Sequence, residues 1–331
     1  MKAVRYHGIQ DVRFETIPEP TFGDDEVLVK VAYAGICGSD LHIYNKEMFI
    51  QNIPETMGHE FSGTVLKTGK NIKGVKPGDK VTANPMVTCG ECIACRTGYR
   101  GSCESLGFIG EVRQGTYAEY LVLPERDLVL APENADLKTL ALAEPLAVAL
   151  NICEKANLNA DSKMLITGPG PIGLLTLMAA KALYGVTDIT VLGRSKVRLD
   201  KAAELGAKAC TELGPDDWFD ITVEAAGSKE ALESAVSHVL PGGKVLIVSI
   251  FEDEFIFDIN QIVAKQISVT GCNVYETKHI EEAAKLIAEG KVDAGEIISH
   301  IYPLNRCGDA FTALCSKNKT TVKVLLSMEE S

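Results

Sequence analysis

Between residues 163 and 271, strand-like and helix-like runs alternate. MLITG precedes PIGLLTLMAAKALYG, and DITVLG precedes RLDKAAELGA. AKACTEL and DITVEAAG precede KEALESAVSHV, and KVLIVSI and QISVTG close the series. The apolar strands want cover on both faces, and the intervening helices can supply it. This patterning predicts an α/β fold with a doubly wound parallel sheet.

The first turn of that series is Gly168-Pro-Gly170-Pro-Ile-Gly173, a G-x-G-x-x-G that follows a strand and opens a helix. That is the context of a dinucleotide-binding turn. Gly168 permits the tight turn, and Gly170 lets the backbone approach a pyrophosphate. The helix N-terminus favours its charge, and Gly173 lets helix and strand pack closely. At the end of the second strand an acidic residue would bind the ribose hydroxyls of NAD. Here Gly193 stands at that place, followed by Arg194, Ser195, Lys196 and Arg198. A carboxylate would repel a 2′-phosphate, whereas an arginine pairs with one. The expectation is NADP, with NAD as the second possibility.

The flanks have another texture. Up to about residue 130, short β-branched runs (VLVKVAYAGI, FSGTVLKT, DKVTANPMV, AEYLVLP) are punctuated by Gly and Pro. They predict a rolled-up, β-rich domain with long loops. The tail carries an amphipathic helix (HIEEAAKLIAEGK), a second helix (LNRCGDAFTALCS) and a VKVLLS strand. We assign residues 1–145 and 272–331 to one domain and 146–271 to the dinucleotide domain inserted between them.

Four of the ten cysteines, Cys89, Cys92, Cys95 and Cys103, spell C-x2-C-x2-C-x7-C in a polar loop with little apolar material to fold around. Thiolates at this spacing predict a closed tetrahedral zinc site, structural because no coordination position stays open. Cys153, Cys210, Cys272, Cys307 and Cys315 belong to no motif and read as buried apolar residues.

At 331 residues the chain is long for one core and natural for two domains. Its net charge of −12 argues against nucleic acid and anionic membrane as partners. No apolar run reaches the ~18 residues of a membrane helix. The opening MKAVRYHGIQDVRFE shows no secretory signal. Ten cysteines without such a signal predict a cytoplasmic protein.

The chemistry centres on GICGSDLHIY (Cys37, Ser39, Asp40, His42), GHEFSG (His59, Glu60) and ALAEPLAVAL (Glu144). A carboxylate inside an apolar stretch is costly unless paired or metal-bound. Cys, His and Glu together make a plausible three-ligand zinc site with an open fourth position. Tyr44, Phe49 and Phe108 lie in or near cleft-forming segments.

GICGSD, GHEFSG, the four cysteines, GPGPIG and the domain order resemble the zinc-dependent medium-chain dehydrogenase (alcohol dehydrogenase) family over essentially the whole length. AEPL, SLGFIG and FDINQIVAKQISVTG are similar to its polyol and 2,3-butanediol dehydrogenase branch. The resemblance implies a GroES-like catalytic domain with a Rossmann domain, and two zinc ions per chain. By it, Cys37, His59 and Glu144 hold the catalytic zinc, and Glu60 exchanges with water or substrate in the metal's shell. Asp40 orients the zinc histidine. Ser39 takes the substrate proton and passes it through the cofactor ribose to His42. Gly193 departs from the acidic residue usual in the branch.

The reaction so implied is hydride transfer between a secondary alcohol, diol or polyol and NAD(P), in a homodimer or homotetramer. A threonine-type dehydrogenase of the same family is the alternative; it needs a site for ammonium and carboxylate. A non-catalytic, zinc-stabilised nucleotide-binding protein is a third reading, but it has no use for Cys37, Ser39, His59 and Glu144.

Overall fold

The computed structural model describes residues 1–316 and 320–329. The chain divides into two compact units, Met1–Glu144 with Glu276–Ser331, and Pro145–Tyr275. The division falls in the first turn of the helix Ala143–Ala156.

In the first unit a seven-stranded sheet runs in the order Leu128–Leu130, Lys80–Ala83, Glu60–Thr68, Glu26–Gly35, Lys323–Ser327, Ile298–Pro303, with Tyr120–Pro124 also on Glu26–Gly35. The strand Glu26–Gly35 is central because its residues are apolar on both faces, only Lys30 being exposed. It holds Glu60–Thr68 antiparallel on one side, with Gly35 opposite Glu60. It holds the C-terminal Lys323–Ser327 antiparallel on the other, with Gly35 opposite Leu325. A strand near the chain's end thus completes a sheet begun near its start. The core beneath combines Val27, Val29, Phe61, Val65 and Leu121 with Leu304, Phe311, Val324 and Leu326. DKVTANPMV, read as one strand, is two: Lys80–Ala83 and Met86–Val87. Pro85 between them has no N–H to offer a ladder.

The second unit is a six-stranded parallel sheet in the order Lys208–Cys210, Asp188–Leu192, Lys163–Thr167, Phe219–Glu224, Val239–Ile247, Ser268–Gly271. The strand order reverses beside Lys163–Thr167, which is the switch point at which such sheets bind ligands. The doubly wound expectation is met. Among the described residues, no helix is long and apolar enough to cross a membrane.

Candidate metal centre and nucleotide turn

The helix Gly38–Lys46 follows directly on the central strand, so Cys37 sits at the strand-to-helix corner. Its backbone N–H donates to Asp40 Oδ2 at 2.8 Å. Across the sheet, Glu60 opens the antiparallel strand and pairs with Gly35, and His59 directly precedes it. Sequence-distant residues meet here: one ligand atom each from Cys37, His59 and Glu60 lie within 4.8 Å of one another. His59 and Glu60 are buried and Cys37 is half-buried.

Glu144 opens the helix Ala143–Ala156, 5% exposed, and stands outside that trio. Its charge nonetheless acts on both His59 and Lys323. The Glu60 side chain lies over Gly35, where a Cβ would come within 3.0 Å of its carboxyl carbon, so glycine at 35 is what admits it.

Two contributors escaped the sequence reading. Lys323, 1% exposed, donates from Nζ to Glu60 Oε1 at 2.6 Å and to the carbonyl of Ile36 at 2.9 Å. A lysine inside VKVLLS carries no local signal, since only the sheet pairing reveals its neighbour. Glu111, 7% exposed, lies close enough to His59 and Asp40 for their charges to act on it. Burial pushes its carboxyl up to about 7, and His59 opposes that rise.

Asp40 is held differently from the expectation. Its Oδ2 accepts from Cys37 N and from Tyr117 Oη, both at 2.8 Å, while Oδ1 is buried with no hydrogen-bond partner. It acts on His59 through charge. Burial raises the Asp40 carboxyl, and His59 with the two donors pulls it back. For His59, burial works downward, but Cys37, Asp40 and Glu144 prevail and hold it well above the ordinary 6.5. The cluster therefore favours positive charge at its centre. Sulfur, nitrogen and oxygen donors converge in that field, which suits zinc.

Ser39 and His42 share the helix Gly38–Lys46, one turn apart and each half-buried. The His42 ring meets Phe49 edge-on at 6.4 Å. Phe108 lies 5.7 Å from the His59 ring. Tyr44 packs on Phe311 at 4.7 Å and belongs to the core.

Cys89, Cys92, Cys95 and Cys103 also converge, their sulfurs within 4.8 Å of one another. Cys103 Sγ is 3.5 Å from Cys89 Sγ, and Cys95 Sγ is 4.0 Å from it. Tetrahedral zinc with bonds of about 2.3 Å spaces its sulfurs about 3.8 Å apart. Both distances far exceed the ~2.05 Å of a disulfide, and all ten cysteines are free. Backbone N–H groups of Cys92, Cys95 and Cys89 point at Cys89, Cys92 and Cys103 sulfurs at 3.3–3.5 Å. The Cys95 N–H leads in drawing Cys92 down to about 6, whereas desolvation pushes Cys95 up to about 12. Crowded thiols cannot all ionise without a cation among them. The donor set fits zinc.

In the second unit, Gly168 has φ +119°, and a Cβ there would meet the Ala225 carbonyl oxygen at 2.6 Å. A Cβ on Gly173 would meet the Gly168 oxygen at 2.1 Å. Gly170, which caps the helix Pro171–Tyr184, faces open space; the nearest atom to its missing Cβ is an Arg198 guanidinium nitrogen at 4.0 Å. Backbone and Arg198 thus form a cradle for an anion.

Arg198 is half-buried, and burial lowers its pKa. Lys196 is committed to Asp200 at 2.7 Å, Arg194 is exposed, and Ser195 caps the helix Lys196–Glu204. Gly193 has a packing reason of its own, because a Cβ would strike Pro169 Cδ at 2.4 Å. The residue that closes the second strand is small because the glycine turn presses on it.

Known proteins share this arrangement. Residues 23–133 match the alcohol dehydrogenase GroES-like domain and residues 171–289 the zinc-binding dehydrogenase family. A sorbitol dehydrogenase of Halalkalibacterium halodurans is 32% identical over 97% of each chain. The crystal structure of 2R,3R-butanediol dehydrogenase from Bacillus subtilis is similar with TM-score 0.90 and 33% identity, covering 98% of this chain and 99% of that one. A zinc-binding dehydrogenase of Sinorhizobium meliloti 1021, solved bound to NADP, gives TM-score 0.91 at 30% identity over 98% of both. With two domain families matched and the polyol enzymes aligned along nearly its full length, the chain belongs to the polyol branch of the zinc-binding dehydrogenases and is an NAD(P)-dependent oxidoreductase.

Proposed function

We propose that the chain interconverts a secondary alcohol of a diol or polyol with the corresponding ketone, with NADP preferred to NAD. The observation that carries this reading is the convergence of Cys37 with His59 and Glu60, from two separate segments of the chain, into one largely buried cluster. Zinc held there, with Glu144 close by, supplies Lewis acidity that lowers the pKa of an alcohol. A bound nicotinamide cofactor would supply the hydride acceptor or donor.

The remaining work falls to the chain's own residues. Cys37 and one carboxylate neutralise a divalent cation, while Lys323 offsets the surplus acidic charge. Ser39 Oγ receives the alcohol's proton. His42, one turn along the same helix and partly exposed, hands it to solvent. Gly168, Gly170 and Gly173 seat a pyrophosphate, and Arg198 pairs with cofactor phosphate. Cys89, Cys92, Cys95 and Cys103 hold a second, structural zinc.

A homodimer or homotetramer is proposed on the outer strand Ser268–Gly271, which has one neighbour in its sheet, and on exposed Val263 and Val269 nearby. The ten free cysteines support a reducing, cytoplasmic setting.

A metal-assayed preparation screened against butanediol, sorbitol, xylitol and threonine with each cofactor tests the reading. Zinc-dependent oxidation of a diol or polyol is expected. Full activity after complete zinc removal, or preference for threonine, refutes it.

A further inference from the structure

Glu111 is a carboxylate at the tip of a turn, a place where side chains ordinarily face water, yet only 7% of it is exposed. The turn is closed by the bridge between Ile109 and Arg113 and by Gly110 N–H on the Arg113 carbonyl at 2.7 Å. It is pressed backbone to backbone against the segment carrying His59. A Cβ on Gly110 would meet Gly58 N at 2.6 Å, and one on Gly115 would meet the Gly58 carbonyl oxygen at 2.3 Å. The Glu111 carbonyl also accepts from Gln51 N at 3.0 Å. The turn is thus anchored on two sides.

The side chain has few commitments. The Phe108 N–H donates to its carboxyl, and His59 and Asp40 act on it by charge. Among the described residues no Lys or Arg pairs with it. The ring of Phe108 itself lies 5.7 Å from that of His59. A carboxyl has about four acceptor positions, so one backbone donor leaves most of them open. Burying such a group without a cation is costly, and groups of this kind gather at functional sites.

We propose that Glu111 determines substrate specificity by accepting a hydrogen bond from a second hydroxyl of the substrate, so that the enzyme prefers uncharged vicinal diols and polyols to monohydric alcohols and to phosphorylated or carboxylated polyols. The inference rests on the reading of Cys37, His59 and Glu60 as the reacting metal centre. A carboxyl accepts from a hydroxyl whether or not it is ionised. An anionic substituent in the same place offers Glu111 no hydrogen to accept and, where the carboxyl is ionised, meets like charge. Glu111 is a substrate-selecting group and takes no part in the proton path of Ser39 and His42.

The test compares kcat/KM for 2,3-butanediol, 2-butanol and sorbitol 6-phosphate in the wild-type holoenzyme and in Glu111→Gln and Glu111→Ala, with zinc content and thermal melting recorded for each. The diol-to-monoalcohol ratio is expected to fall about 10-fold or more in Glu111→Ala, the loss of a hydrogen bond to a charged group. Discrimination against the phosphate is expected to relax in both variants. Glu111→Gln keeps the shape and guards against a folding defect in the alanine variant. If wild type oxidises both alcohols in a zinc-dependent way and neither ratio moves in either variant, the assignment of Glu111 is wrong and the metal centre stands. If wild type shows no zinc-dependent oxidation at all, the metal centre falls and Glu111 with it.

Discussion

The ammonium of Lys323 and the carboxylate of Glu60 form an ion pair inside the protein, each side chain 1% exposed. Burial alone would depress Lys323, but Glu60, then Cys37 and Glu144, raise it and keep it charged. Breaking such a pair strands a buried charge, which costs about 3–5 kcal/mol. Lys323→Met should lower unfolding stability by that order in urea titrations at neutral pH. Adding Glu60→Gln should recover part of the loss, because the stranded charge is gone. A loss below about 1 kcal/mol, typical of a solvent-screened pair, contradicts the buried geometry.

Ser39→Ala should reduce turnover by about 10²-fold or more, the usual worth of a positioned proton acceptor. Zinc content should not change, because Ser39 lies outside the ligand trio. Unaltered turnover removes Ser39 from the proton path.

Replacing Cys103 by Ser should lower zinc from about two ions per chain to about one, as read by mass spectrometry. The loop between Cys89 and Cys103 should then become a protease target. Its folding rests on the metal, with Ile93 and Tyr99 exposed rather than packed. Retention of both ions argues against a four-sulfur site.

Arg198→Leu should raise the KM for NADP about 10-fold more than that for NAD, the scale of one charge-assisted hydrogen bond. The guanidinium lies 4.0 Å from the position of the Gly170 Cβ, where an anion would enter. Equal effects on both cofactors would place Arg198 on the shared pyrophosphate instead.

Glu224 closes the strand Phe219–Glu224, fully buried, and accepts from Ala226 and Gly227 N–H groups at 2.8 Å. Burial nevertheless raises its carboxyl above the ordinary 4.5. The folded state therefore holds its proton to higher pH than the unfolded state. Stability from this group is present below pH 4.5 and is lost as pH rises through the folded value. Glu224→Gln keeps an acceptor and should flatten that decline, measured as urea midpoints between about pH 5 and about pH 8. An unchanged slope excludes Glu224 as its source.

The parallel sheet and its glycine turn were legible because they are local: alternation and G-x-G-x-x-G place strand, turn and helix in one short stretch. The four cysteines were legible for the same reason, since fourteen positions separate the first from the last. Gly193 has a second reason that local reading does not give. Its lack of a side chain suits a 2′-phosphate, yet the ring of Pro169 forbids a Cβ there in any case.

Residue types in the sequence also point to Cys37, His59 and Glu144, the last a carboxylate in an apolar stretch. The family resemblance gives Glu60 only an exchanging place, and in space it is Glu60 that joins Cys37 and His59. The meeting of Glu60 with the Cys37 corner was decided by strand register: Gly35 stands opposite Glu60 on one side and Leu325 on the other. The same register brings Lys323, 263 residues further on, onto Glu60. Glu111 reached His59 through a turn packed on Gly58. A residue's type and near neighbours follow from the chain. Which distant charge it must neutralise follows only from pairing in space, where burial removes the water that would otherwise screen it.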